Sequence, residues 1–361
     1  MMRPTATRRT PRHAFTLVEI LVAIGILVLL AAIATPVALN ALKSAQASAV
    51  KMEVNGLADA IEQYRSKYGD YPPDGSNWTI LERHCRKAFP QILQSELNLL
   101  RRDILASLNY QGPAIPSADL EGFRAMNPAE ALVFFLGGFS SNPQRPFTGP
   151  GGPFVLVPGS TTAYQYNPAR ENAFYEFNSG QLTLTQTAFG SATVTVSNDE
   201  SRFQTGTSTQ ADPNDLLPVY LDKYQRAPVV YFDSRTYAIP DPNATGQNVL
   251  YVNRVSSSQF GTAVPYLSDE MNTTIAPPQP YFQNKQSFQI VSAGLDGIYS
   301  DDGKGVISSL STPNIGLADL QRYQRGLTNA HKSTSNTYDN TANFSDMARL
   351  GDIARKAQTS D

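Results

Sequence analysis

Two sets of carboxylates have neighbours that would let them do chemistry. Asp296, Asp301 and Asp302 lie within seven residues, with Gly294, Gly297 and Gly303 around them. Hard cations such as calcium bind several oxygens, and glycine lets a loop turn its carbonyls inward. The spacing is not that of an EF-hand, because Asp-x-Asp-x-Asp-Gly and the later Glu are absent. Taken by themselves, these residues fit two solvent-facing Asp-Gly turns better than a cation site. The second set is a single residue. Glu19 stands inside an apolar segment, and from there to Lys43 no residue is charged, a run of 23. A charge at the centre of a membrane helix costs about 2.5–3.5 kcal/mol on insertion scales, so such a residue is rarely present without a role.

No other pattern points to catalysis. No phosphate-binding glycine loop, nucleophile elbow or metal-binding histidine pair is present. Three histidines and one cysteine supply no zinc pattern. Cys85, as the lone cysteine, excludes an intramolecular disulfide, and a lone exported cysteine is expected to be buried. The 361 residues suffice for one large or two modest domains with a sizeable core. The net charge is −2, and four basic residues (Arg3, Arg8, Arg9, Arg12) fall in the first 14, which carry no acid. The remaining body is therefore more acidic than the whole. That argues against a nucleic-acid partner and suits cation binding.

The elements that position these carboxylates begin at the N-terminus. After the basic leader comes FTLVEILVAIGILVLLAAIATPVALNAL, Phe15 to Leu42. At about 1.5 Å per residue it spans a hydrocarbon core of about 30 Å. The leading arginines keep the N-terminus cytoplasmic and send the remainder outward. An ordinary secretory signal cut near Ala32-Ile33-Ala34, or a plain anchor, would share these features, but Glu19 counts against both. From Lys43 to Tyr68 the chain reads as an amphipathic helix, with Val50, Val54, Leu57, Ile61, Tyr64 and Tyr68 forming an apolar seam expected to pack on a sheet. Gly69 caps it and Pro72-Pro73 forbids continuation.

Ala14 followed by Phe15-Thr16-Leu17-Val18-Glu19 resembles the prepilin-peptidase motif of type IV pilins and type II secretion pseudopilins. The resemblance implies that a membrane peptidase cuts before Phe15 and methylates the new amino group. It also implies that Pro36 kinks the helix and that Glu19 meets the N-terminal amine of a neighbouring subunit during assembly. Ala14 departs from the glycine usual in the family. The ending YRSKYGDYPPDG, through Tyr64, Gly69, Tyr71 and Pro72, resembles the close of the pseudopilin helix.

Residues 75–217 read as an insertion. Ile80 to Leu108 is expected to be helical but broken by Pro90, and Asn127-Pro128-Ala129-Glu130 is a helix start. Residues 139–170 read as loop, Thr183–Thr187 and Ala192–Ser197 as a hairpin, and Ser197–Pro213 as a polar loop. Pro228–Phe232, Val249–Val252 and Phe288–Val291 read as strands. The run FQIVSAGLDG and the later Asp301-Asp302 resemble the calcium loop of the major type II pseudopilin. By that resemblance the Ala293 carbonyl and the carboxylates of Asp296, Asp301 and Asp302 hold calcium. Tyr338–Phe344 resembles the segment that closes the pseudopilin domain.

The resulting expectation is an α+β, pilin-like fold: a long N-terminal helix on an antiparallel sheet, with a large insertion. Its parts are a leader (1–14), a transmembrane half-helix (15–42), an amphipathic half-helix (43–74), the insertion (75–217) and a C-terminal sheet region (218–361). The implied role is structural and not enzymatic: a subunit of a type II secretion pseudopilus. Its implied partners are sister pseudopilins, the prepilin peptidase and the inner-membrane assembly platform. The alternative is a minor or tip pilin of a type IV pilus whose insertion binds a surface or partner.

Overall fold

The computed structural model describes residues 16–107, 126–203, 215–240, 250–252, 255–257, 259–272, 279–299 and 341–342. The chain divides into two compact units, Met1–Gln46 and Ala47–Asp361. The helix α1 (Leu17–Tyr68) contributes to both, and its 52 residues include Pro36 without ending there. Proline supplies no N–H, so one helical bond is lost at that turn. In the first unit, Leu17 to Leu42 are all exposed, which leaves an apolar surface with no cover of its own. By length and composition α1 can cross a membrane.

In the second unit the apolar seam of α1 is the spine of the core. Val50, Val54, Leu57, Ile61 and Tyr64 are completely buried, and Tyr68 is half-buried. The seam meets the insertion as well as the sheet. Tyr64 packs its ring on His84, Phe135 and Phe174, with centroids 5.7, 5.8 and 5.1 Å away. Gly69 adopts φ +72°, and its N–H donates to the Arg65 carbonyl at 2.7 Å, which ends the helix as its sequence requires.

The insertion begins with α2 (Trp78–Ala88) and α3 (Gln94–Ser107), separated at Pro90 as expected. Asn77 caps α2 by accepting from the Ile80 N–H at 3.1 Å. The helix α4 (Pro128–Leu136) starts on a full capping box between Asn127 and Glu130. It is buried along its whole length, which explains its unbroken apolar run. Its C-terminus is closed by Arg170, which donates to the carbonyls of Val133 (2.9 Å) and Phe134 (2.6 Å) and to that of Gly138. A cation at this helix end also suits the backbone dipole.

Residues 139–170 are not all loop. They contain a short hairpin, β1 (Phe154–Leu156) with β2 (Tyr164–Tyr166), paired Phe154 to Tyr166. Strands of three residues carry too little alternation to be seen in sequence, and the turn is stabilised by Ser160, whose hydroxyl accepts from the Thr162 and Ala163 N–H groups. The second hairpin, β3 (Leu184–Phe189) with β4 (Ala192–Ser197), lies where expected, turning at Gly190 with φ +60°. The polar stretch after it starts as a short helix, α5 (Asp199–Phe203).

The remaining strands are β5 (Val230–Asp233), β6 (Ala238–Pro240), β7 (Leu250–Val252), β8 (Val255–Ser257), β9 (Gly261–Ala263), β10 (Leu267–Asn272), β11 (Gln279–Phe282), β12 (Phe288–Ser292) and β13 (Thr341–Ala342). They form antiparallel ribbons β6–β7, β8–β9 and β10–β11, and an antiparallel sheet in the order β13–β12–β5. The architecture is α+β, a long N-terminal helix followed by small antiparallel sheets. One buried cluster joins α1 (Leu57), α2 (Leu81), α4 (Phe134), β4 (Val194), β5 (Tyr231) and β12 (Ile290). Residues 75–217 therefore share a core with the sheet.

Candidate assembly segment and acidic loop

At the N-terminus, Thr16 and Glu19 cap α1 reciprocally. The Thr16 carbonyl accepts the first helical bond from Ile20 at 3.2 Å. The Thr16 hydroxyl accepts from the Glu19 N–H at 3.2 Å, and a Glu19 carboxylate oxygen accepts from the Thr16 N–H at 3.4 Å. Thr-x-x-Glu at a helix start is the signature of this box, and it was readable in Thr16-Leu17-Val18-Glu19. Glu19 thus has a local use within its own chain as well as any between chains. It is exposed, as are the apolar side chains around it. The cleavage pair Ala14 and Phe15 lies outside the described residues.

The acidic loop leaves β12 at Ala293, which is buried. Gly294 and Gly297 adopt φ +75° and +76°, the left-handed region that favours glycine, at the two ends of one turn. Asp296 is exposed, and its Oδ1 accepts from the Ile298 N–H at 2.9 Å, an Asx turn. Tyr299 is buried and anchors the loop: its hydroxyl donates to the carbonyls of Val291 and Pro228, and its N–H to the Phe260 carbonyl. Asp301 and Asp302 lie outside the described residues. Among the described residues no three acidic, histidine or cysteine side chains converge to hold a metal.

Beside this loop is the turn Leu221–Ala227, closed by the Asp222 N–H donating to the Ala227 carbonyl at 3.0 Å. Asp222 is fully buried. Its Oδ1 accepts from the N–H groups of Tyr224 (2.9 Å) and Arg226 (3.2 Å), whereas Oδ2 has no partner. Burial pushes its carboxyl up to about 6, with a further contribution from nearby Glu53 that opposes the two N–H bonds. Sequence reading passed over Asp222, because nothing in LDKYQRA marks it as buried.

A family comparison bears on the first of these segments. Residues 9–35 match the family model of the prokaryotic N-terminal methylation motif. No curated protein and no solved structure matches the chain. The methylation motif covers the Ala14–Phe15 junction, Thr16, Glu19 and the exposed apolar part of α1 as far as Thr35.

Within the second unit, carboxylates tie the end of α1 and the segment that follows it to the rest of that unit. Glu53 accepts from Gln181 and from the Tyr220 hydroxyl, each at 2.8 Å, and from the Lys223 N–H at 3.1 Å. Asp74, fully buried, accepts from the Ser76 and Asp233 N–H groups and from the Ser76 and Thr236 hydroxyls. Arg235 bridges Asp233 and Asp70 at 2.6 and 2.9 Å. Burial nevertheless pushes the Asp233 carboxyl up to about 6, even with Arg235 pulling it down. At the other end, Lys51 donates to the Ala342 carbonyl at 2.6 Å and holds β13. Cys85 is fully buried as expected, and burial pushes its thiol up to about 12, which keeps it unreactive.

Proposed function

We propose that this chain is a structural, pilin-like subunit that assembles through its N-terminal helix into a type II secretion pseudopilus and has no catalysis of its own. The observation that carries this reading is the methylation motif at residues 9–35, set on a helix whose apolar first half is exposed and holds a single carboxylate, Glu19. Such a surface demands lipid or sister helices as its cover. A carboxylate at that depth is tolerable when paired, and the amine freed by cleavage before Phe15 supplies the opposite charge. The peptidase that makes this cut and the inner-membrane assembly platform are the further partners. The subunit then sits in the inner membrane with its N-terminus cytoplasmic and Ala47–Asp361 in the periplasm.

Calcium belongs to the same proposal. The two positive-φ glycines and the buried Ala293 suit a loop that turns oxygens toward a cation. Asp296, with Asp301, Asp302 and the Ala293 carbonyl, would hold it and lock the loop against β12. The size of the 75–217 insertion supports a second reading, a minor or tip pilin of a type IV pilus. Copy number in sheared filaments separates the two, many for a shaft and few for a tip. The test of the main reading is Glu19→Ala, followed by membrane fractionation and shearing. Subunits that insert but fail to assemble are expected, and normal filaments from this variant would refute the role of Glu19.

A further inference from the structure

Resting on the reading of the Ala293–Tyr299 loop as a cation site, we infer that Asp222 supplies a ligand oxygen to a calcium ion held between that loop and the Leu221–Ala227 turn. The sheet register brings the two together. Val230 pairs with Val291, so the chain entering β5 and the chain leaving β12 meet at one end of the sheet. Two contacts close the gap between them. The Tyr299 hydroxyl donates to the Pro228 carbonyl, and Gly297 lies so close to Arg226 that a Cβ on it would fall 2.4 Å from the Arg226 Cβ. The negative charge of Asp222 reaches Tyr299 across this contact.

Asp222 Oδ2 is the feature that asks for a ligand. A buried carboxylate needs a proton, a base or a cation beside it. Among the described residues no base comes within ion-pair distance of Asp222, Arg226 of the same turn acting on it only from further off, and Oδ2 accepts no hydrogen bond. Tyr299, which faces it from the loop, has given its one proton to two carbonyls. Glu53, on α1, adds negative charge and has its own donors in Gln181, Tyr220 and Lys223. The two segments bring the Asp222 and Asp296 carboxylates and main-chain carbonyls, with no histidine or cysteine, a hard donor set that suits calcium and not zinc. A ligand from a second loop would fix the two loops to each other, so the end of the sheet would become rigid only when loaded.

The experiment is a titration of the full-length chain in detergent with calcium, for the natural protein, Asp222→Asn and Asp296→Ala, with thermal unfolding of each in chelator. Asn keeps an Oδ1 for the Tyr224 and Arg226 N–H groups, so the turn is preserved. Asp222→Asn is expected to weaken calcium binding about tenfold or more, and to unfold in chelator at or above the natural temperature. Unchanged affinity in Asp222→Asn, with binding lost in Asp296→Ala, would overturn the role of Asp222 and leave the loop as a cation site. A lower unfolding temperature in chelator with an unchanged rise on adding calcium would also overturn it, making Asp222 a turn-former only. No binding by the natural protein would overturn the cation reading as a whole.

Discussion

Removing the Asp74 carboxylate should loosen the end of α1 from the sheet, and its cost follows from the donors it serves. Asp74 is completely buried and accepts from the Ser76 N–H at 3.1 Å, the Asp233 N–H at 3.0 Å and the Ser76 and Thr236 hydroxyls at 2.6 Å each. The hydroxyls can rotate to other acceptors, but the two N–H groups cannot. Each buried donor left unsatisfied costs about 1–3 kcal/mol. Asp74→Ala should therefore cost about 2–6 kcal/mol, a large part of the 5–15 kcal/mol typical of a domain. Asp74→Asn keeps one acceptor for Ser76 and turns an amide toward Asp233, so its cost should be smaller, about 1–3 kcal/mol. Urea unfolding of the full-length chain in detergent, followed through its single tryptophan, Trp78, measures both, since that residue is buried beside the same core. A loss below about 1 kcal/mol for Asp74→Ala would refute the account of this carboxylate as the joint between helix and sheet.

Three further outcomes are expected. Cys85 should resist alkylation in the folded protein and react only on unfolding, as followed by mass spectrometry with iodoacetamide, because its thiol is buried and held near 12. Asp233 has a folded pKa near 6 against 3.8 for the free group, so between those values the folded state holds more protons than the unfolded one. Its contribution to stability must then fall as pH rises through that window, and Asp233→Asn should flatten this slope in unfolding measured from pH 4 to 7. Gly138→Ala should destabilise by about 2 kcal/mol or more, because Gly138 has φ +95° and an added Cβ would lie 2.0 Å from the Glu171 carbonyl oxygen; an unchanged urea midpoint would count against this.

Much of the helical frame was legible because its signals are local. The seam from Val50 to Tyr64, the stop at Gly69, the break at Pro90 and the helix start at Asn127 each rest on spacing or on one residue's backbone preference. The hairpin around Gly190 and the strands at Val230 and Phe288 were readable from alternation and β-branched runs. The β1–β2 hairpin was not, because three-residue strands are stabilised by what they pack on. The seam was expected to face a sheet; it shares one buried cluster with β5 and β12, and its Tyr64 also packs on Phe135 and Phe174 of the insertion, which its spacing did not announce. Asp222, Asp74 and Glu53 were invisible as site residues for a related reason. A carboxylate's burial depends on contacts with residues far along the chain, and no local pattern records them. Glu19 was the converse case: its oddity in an apolar run was plain, and the Thr-x-x-Glu spacing that gives its reciprocal cap with Thr16 is local as well, though sequence reading took Glu19 only as a charge in an apolar run.

The central claim is that the N-terminal segment is processed and used as a pilin-like assembly helix, and the mature N-terminus tests it most directly. Intact-mass and N-terminal peptide mass spectrometry of the protein recovered from its own membranes should show a chain that begins at Phe15 with a methylated amino group. A chain that keeps residues 1–14, or one cut near Ala34 as an ordinary secretory signal would be, would contradict the account.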